Sequence, residues 1–409
     1  MSEVAQVPQL RFPEFSGEWE EKRFDSLYPT VRNGFVGVAT PYYVEEGVPY
    51  LQGKNIKSGA INRNGLVYIN ESFHQKSKKS QLRQNDIVMV QSGHVGECAV
   101  ITEEFEDTNC HALLVSTPTH DIDSKFYINY FYSKFGRKKI YRITTGNTIK
   151  HILSSDLKIQ TVSNPSYQEQ QKIAAFLTAV DTKIEQLSKK QELLGEYKKG
   201  SMQQIFSQAI RFKADDGSEF PEWKERRLGD VCSKAKSGGT PRSTTKEYYD
   251  GDIPFLAISD ITRQGKYLTS ASKKISQLGI DNSASWIVPI DTIIYSMYAS
   301  VGFVSINKIP LATSQAVINL IVKDGYSIEF IYYHLIEVKK TIHKFIETGT
   351  QGNLNAQTVK SLILNIPSLP EQAKIANFLS SIDNKIEQVG KQLDESKQFK
   401  KALLQQMFV

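Results

Sequence analysis

The sequence runs to 409 residues, 40% hydrophobic and 10% aromatic, enough for more than one packed domain and too apolar for wholesale disorder. A formal net charge of +6 is a mild basic excess, compatible with a nucleic-acid partner without requiring one. Cys98, Cys110 and Cys232 form no C-x-x-C pair, which excludes a disulfide framework; no signal pattern opens the chain and no apolar run approaches the ~20 residues of a membrane span, so a soluble, cytoplasmic protein with reduced thiols is expected.

Taken in chain order, the first half opens on RFPEFSGEWEEKRFDSL with Trp19, followed by Pro49-Tyr50-Leu51. A β-branched run, Ile87-Val88-Met89-Val90 before Ser92-Gly93, predicts a strand, and a helical pattern covers 126–135. Beyond Pro165, apolar residues fall at Ile173, Leu177, Val180, Ile184, Leu187 and Leu194. Steps of four and three are the period of a coiled-coil seam, and a helix of ~40 residues is about 60 Å long. Gly195, Gly200 and Gly390 lower helix propensity and mark places for a kink or frayed end.

The chain then starts again. Trp223 in EWKERRLGDV answers Trp19 at an offset of 204, Pro254-Phe255-Leu256 answers Pro49-Tyr50-Leu51 at 205, and Asp291-Thr292-Ile293 answers Asp86-Ile87-Val88. Ser285-Trp286-Ile287-Val288 before Pro289 predicts a strand, and 328–345 a helix. After Pro367 the seam returns at Ile375, Leu379, Ile382, Ile386, Val389, Leu393, Leu403 and Met407. YQEQQKIAAFLTAVDTKIEQ (167–186) repeats as LPEQAKIANFLSSIDNKIEQ (369–388), and MQQIF (202–206) as LQQMF (404–408). A shared offset along the whole chain means duplication. The expected fold class is α/β (α+β): two mixed globules, 1–165 and 213–366, with helical spacers at 166–212 and 367–409.

Asn164-Pro165-Ser166-Tyr167 is like the target-amine loop of amino-methyltransferases, but the repeat reads Ile366-Pro367-Ser368-Leu369 and no glycine-rich cofactor loop precedes it. Gly47 to Gly53-Lys54-Asn55 has one residue too many for a phosphate loop and Asn in place of Ser/Thr, and reads as a turn between strands. Seven histidines show no metal spacing; His94 and His111 near Cys98 and Cys110 lack a paired-ligand pattern.

RFPEFSGEWEEKRF, LPEQAKIANFLSSIDNKIEQ, KKGSMQQIFSQAIRFKADDGSEFPEWKERRLGD and SGGTPR (237–242) together resemble the specificity subunits of type I restriction–modification systems, over the full length of the chain. The resemblance implies an internal pseudo-twofold repeat of two target-recognition domains, each reading one half of a bipartite site in double-stranded DNA. It implies an antiparallel coiled coil fixing the gap, with two modification subunits docked on it and restriction subunits completing the complex. No cofactor belongs to this chain on that reading; S-adenosylmethionine, ATP and Mg would sit in the partner subunits.

For phosphate contacts, the candidates are Lys54, Arg63, Lys76, Lys78, Lys79 and Lys150 in the first domain and Arg242, Arg263, Lys273 and Lys274 in the second, with Thr240 beside them in SGGTPR. For base edges, side chains with forked or amide groups are Asn55, His94 and Asn147, and Asp260, Tyr298, Gln351 and Asn353. The turns at 146–148 and 349–353 are expected just before the strand leading to each long helix. Two other readings stand beside this one: a stand-alone DNA adenine methyltransferase, and a coiled-coil scaffold that binds only protein.

Overall fold

A computed structural model describes residues 6–298, 300–345 and 353–409. Two compact units emerge, one formed by 1–188 with 391–409 and the other by 189–390.

In the first unit, an antiparallel sheet runs in the order Thr30–Asn33, Leu113–Thr117, Ile87–Val90, Cys98–Val100. Ile87–Val90 is buried along its whole length, as an unbroken apolar run bounded by turn residues should be. A smaller sheet takes the order Asn109–Cys110, Val48–Leu51, Val67–Ile69, Tyr43–Val44. Glu20–Arg23 pairs antiparallel with Thr161–Asn164, the strand that feeds the central helix, Tyr167–Phe206.

The second unit repeats the plan. Its main sheet is ordered Cys232–Ser237, Val317–Val322, Ile293–Ser296, Val304–Asn307, Tyr267–Leu268, and a second sheet Lys273–Ile275, Ile253–Leu256, Leu311–Thr313, Ile287–Val288. Lys224–Arg227 pairs antiparallel with Ile363–Ile366, which feeds the C-terminal helix, Leu369–Gln406.

Within each unit, stretches of the two long helices pack antiparallel on each other and on the globule. In the first, Ile173, Ala174 and Leu177 share a buried cluster with Leu403, Met407 and Phe408, and with Trp19 and Phe126. In the second, Met202 and Ile205 share one with Ile375, Leu379 and Ile382, together with Phe330 and Tyr333. The repeated sequences EW and MQQIF/LQQMF meet in space. Phe408 lies 6.3 Å from Trp19 and 5.4 Å from Phe126; Phe206 lies 6.5 Å from Trp223 and 5.7 Å from Phe330. Among the remaining seam residues, Leu187 and Val389 are buried, and Val180, Ile184 and Ile386 half-buried. Both long helices run on through Gly195, Gly200 and Gly390, with no break at the kink sites that these glycines mark.

Some expectations need correction. The helix expected over 126–135 ends at Tyr132, because the Ser133 hydroxyl accepts the Gly136 N–H (3.1 Å) and caps a separate helix, Lys134–Arg142. Helix 328–345 is α-helical only over Ile328–Val338 and tightens into 3-10 turns beyond. Of 285–288, only Ile287–Val288 is strand. Helix Ser154–Ile159 stands between the turn at 146–148 and the strand Thr161–Asn164 expected to follow it directly, and helix Ala356–Ser361 precedes the strand Ile363–Ile366; of the turn expected at 349–353, residues 349–352 lie outside the described residues. The central helix, Tyr167–Phe206, has 40 residues, the length its seam led one to expect.

Candidate nucleic-acid interface

A cleft of about 900 Å³ opens in the first unit, with Lys54, Lys57, His94, Arg137, Lys138, Tyr141 and Lys150 on its walls. Lys54 projects from the 3-10 turn Gly53–Asn55 between two strands, as the sequence reading had it. His94 lies exposed after the strand Ile87–Val90. Lys150 and Asn147 ride a tight loop closed by paired Thr145 and His151 backbone hydrogen bonds, 2.9 and 2.8 Å. Gly146 has φ +92°, and a Cβ there would meet the Ile149 carbonyl at 2.3 Å, so the loop requires glycine. The Lys150 ammonium sits 5.6 Å from the centre of the exposed Tyr141 ring.

Glu97 is a carboxylate in this wall, and it is spent. It accepts from the Ser58 N–H at 2.6 Å, the Tyr132 hydroxyl at 2.9 Å and Arg137 at 2.9 Å. Burial pushes its pKa up, but these donors outweigh burial and hold it below the ordinary carboxylate range. The cleft therefore presents cations and an aromatic ring, the combination suited to phosphate and base contact.

Asn55 takes no part. It is fully buried; its carbonyl accepts the Gln52 N–H (3.0 Å) and its amide donates to the Asn62 carbonyl (2.9 Å). With both ends used on backbone it shapes the loop that carries Lys54 and cannot reach a base. Asp260 is likewise fully buried, accepting from Ala257 N–H, Ser272 N–H and hydroxyl, and Arg263 at 2.7 to 3.0 Å. Burial raises its pKa, and these donors overcome that and lower it. Arg263 is tied to Asp260, yet its side chain stays mostly exposed.

Elsewhere the candidates scatter. Lys76, Lys78 and Lys79 are exposed on helical turns that do not line the cleft. Arg63 pairs with Glu104, and Lys274 with Asp252 at 2.9 Å. In the second unit, Gly238 runs so close to Thr313 that a Cβ would meet its carbonyl at 1.8 Å, and this close approach holds the SGGTPR loop on the sheet. Thr240 then donates to Gln315 (2.7 Å), and Arg242 extends exposed beyond it. Lys273 and Tyr298 are exposed and Asn353 is half-buried; Gln351 lies outside the described residues. Lys57, Arg137, Lys138 and Tyr141 were missed. For Arg137, Lys138 and Tyr141 the run KFGRKKIYR was the signal, a short amphipathic helix with a basic face; Lys57, in the strand Ile56–Lys57, had none.

Asn164, of the methyltransferase-like loop, accepts from the Tyr127 hydroxyl (2.6 Å) and Gln170 (3.2 Å), a structural use of its side chain. All three cysteines are buried and free; burial pushes Cys98 and Cys110 up to about 12 and Cys232 up to about 11, away from reactive thiolates.

A reading globule built twice, each time locked to paired helices, is the plan of a DNA-specificity protein. The chain belongs to the family described as type I restriction modification DNA specificity domain, whose model matches residues 16–194 and again 221–396. It is accordingly a recognition subunit and not a catalytic one. It is 24% identical to a putative type I restriction enzyme MjaX specificity subunit of Methanocaldococcus jannaschii, over 98% of this chain and 94% of that one. The MjaIX specificity subunit of the same organism is 32% identical over 46% of this chain, and the match spans 44% of that relative. In fold, the chain resembles the type I restriction–modification S subunit of M. genitalium (TM-score 0.61, 19% identity, 98% and 99% of the two chains). A chain from a structure on complex assembly and conformational transition of the type I R-M system gives a TM-score of 0.55 at 16% identity, over 94% and 96%.

Proposed function

We propose that the two globules read the two halves of a split duplex DNA site, and that the paired helices set the gap between the halves and dock two modification subunits. Restriction subunits complete the assembly; S-adenosylmethionine, ATP and Mg are held by those partners, and the complex works on DNA in the cytoplasm. Domain limits of 1–165, 166–212, 213–366 and 367–409 serve this reading. The repeated helix pairing carries it: Asp181 meets Lys400 at 2.6 Å in the first unit, and their counterparts 202 residues away, Asp383 and Lys198, meet at 2.5 Å in the second.

The two candidate surfaces differ in residues, which supports two different half-sites. The exposed candidate cations outside an intramolecular ion pair among the described residues are Lys54, Lys76, Lys78, Lys79 and Lys150, then Arg242 and Lys273, whereas Arg63, Arg263 and Lys274 are exposed but paired. His94, Asn147, Tyr298 and Asn353 remain for base edges. A methylome of cells carrying the chain with its partner subunits tests the reading. A split, asymmetric motif is expected; a palindromic or undivided motif overturns it. Inserting one heptad in each long helix should change the gap and leave both half-site preferences alone.

A further inference from the structure

Beside the basic cleft lies a second one, about 640 Å³, in the same unit. The two share a wall made of Ser58, Glu97 and Arg137. The far side of the second cleft is the C-terminal helix, which contributes Lys397, Lys400 and Lys401, while Lys134 comes from the globule.

Its charges do not cancel. The carboxylates in the lining are Glu97 and Asp181. Glu97 is consumed by Arg137, and Asp181 by Lys400. Lys134, Lys397 and Lys401 are exposed, and among the described residues no carboxylate lies within ion-pair distance of them. Lys397 and Lys401 are four residues apart and so occupy one face of the helix. Such a cluster of like charges is costly to gather without an anion to meet it. The repeat has Gly195 where the C-terminal helix has Lys397 but keeps a lysine, Lys199, where it has Lys401, so of this pair only Lys397 is particular to the C-terminal helix.

We infer that Lys397 and Lys401 of the C-terminal helix, with Lys134, bind phosphates of the duplex flanking the half-site held by the first globule. The inference rests on the DNA-reading role proposed above. It makes the helix a contributor to affinity on that side as well as a spacer. A continuous basic track with a spent carboxylate wall fits a phosphate backbone, which presents a regular line of anions and no sequence information.

The test uses the full chain assembled with its partner subunits, and compares it with the double variant Lys397→Gln/Lys401→Gln and its Lys→Arg counterpart. Affinity for duplexes is measured across a salt series, on the methylome-defined site and on scrambled half-sites. Loss of two contacts should make the slope of log affinity against log salt shallower by roughly 2, and weaken binding roughly 10- to 60-fold near 0.1 M salt. That loss should be the same on every sequence, and Lys→Arg should restore it. An unchanged slope, in a protein that still discriminates half-sites, overturns this inference alone. So does a variant that keeps its DNA affinity per complex but recovers fewer partner subunits, for then the face serves a protein. Wild-type binding that ignores both salt and sequence would overturn the DNA-reading role itself.

Discussion

Arg11 closes a two-point fork on Glu169, Nε to Oε1 at 2.7 Å and Nη2 to Oε2 at 2.8 Å, and Glu169 is almost wholly buried. Arg211 does the same to Glu371 in the second unit, at 3.2 and 2.9 Å, and also donates to the Phe220 and Pro221 carbonyls. The neighbouring glutamines complete the joint. Gln170 donates to the Pro165 carbonyl and accepts the Asp123 N–H; Gln372 donates to the Pro367 carbonyl and accepts the Ser327 N–H. The repeated Glu-Gln pair is thus the hook that fixes each long helix to its globule, at the helix's first turn.

Removing one partner of such a fork leaves a buried carboxylate uncompensated. Arg211→Ala should therefore cost about 3–5 kcal/mol of unfolding free energy. Replacing both members with Met should cost less than Arg211→Ala alone, because neither charge is then buried. Urea denaturation of the three proteins checks the ordering; a loss below about 1 kcal/mol for Arg211→Ala would show that the fork behaves as a surface pair.

The helices carry glycines that their pairing does not need. A Cβ at Gly195 or Gly200 meets nothing within 4 Å, so Gly→Ala at either should stabilise by about 0.8–1 kcal/mol. Gly390 differs, since a Cβ there would come within 2.8 Å of the Gln191 amide nitrogen. That amide ends a flexible side chain and can move, so Gly390→Ala should gain less than the other two. Thermal unfolding ranks the three; destabilisation by Gly195→Ala would show that its place requires flexibility.

His334 gives the second unit a pH dependence. It is buried beside Phe206, ring centroids 4.8 Å apart, and its Nε2 accepts the Asn365 N–H at 3.2 Å. Burial pushes its pKa down from 6.5 to about 4. Between those two values the unfolded chain binds the extra proton and the folded chain does not, so stability rises with pH across that window. The stabilisation is complete above 6.5 and is lost as pH falls toward 4, at a slope of up to about 1.4 kcal/mol per pH unit. The first unit holds Tyr130 in the corresponding place, seven residues beyond its helix cap Asp123 as His334 is beyond Ser327. His334→Tyr should flatten the profile measured by urea midpoints from pH 4 to 7, and an unchanged slope would assign the effect to another group.

The duplication and the helix seam were legible because periodicity is a property of the sequence itself: Ile173, Leu177, Ile375 and Leu379 are all buried as their spacing requires. Asn55 and Asp260 were misplaced for a chemical reason. An amide or carboxylate that could grip a base edge can equally grip backbone N–H groups, and only burial distinguishes the two. Arg137 and Tyr141 were missed because the fold brings them beside Lys54 and His94 from far along the chain. Arg11 and Glu169 are 158 residues apart, and nothing local announces that they meet.

Substitutions in the first cleft should separate affinity from specificity. Lys54→Gln and Lys150→Gln should each weaken binding equally on all duplexes and make the salt slope shallower by about 1. His94→Ala and Asn147→Ala should instead change discrimination at the first half-site by about 1–3 kcal/mol per base pair read, and leave the second half-site untouched. Asn55→Ala belongs to neither class, because it strips the Gln52 N–H and Asn62 carbonyl of their partner inside the fold. It should lower the melting temperature, with DNA discrimination retained in whatever fraction stays folded. Competition titrations against half-site libraries, run beside thermal unfolding, sort the five variants. A lysine change that altered base preference, or an Asn55 change that altered preference at unchanged stability, would mean that the cleft reads sequence through different atoms.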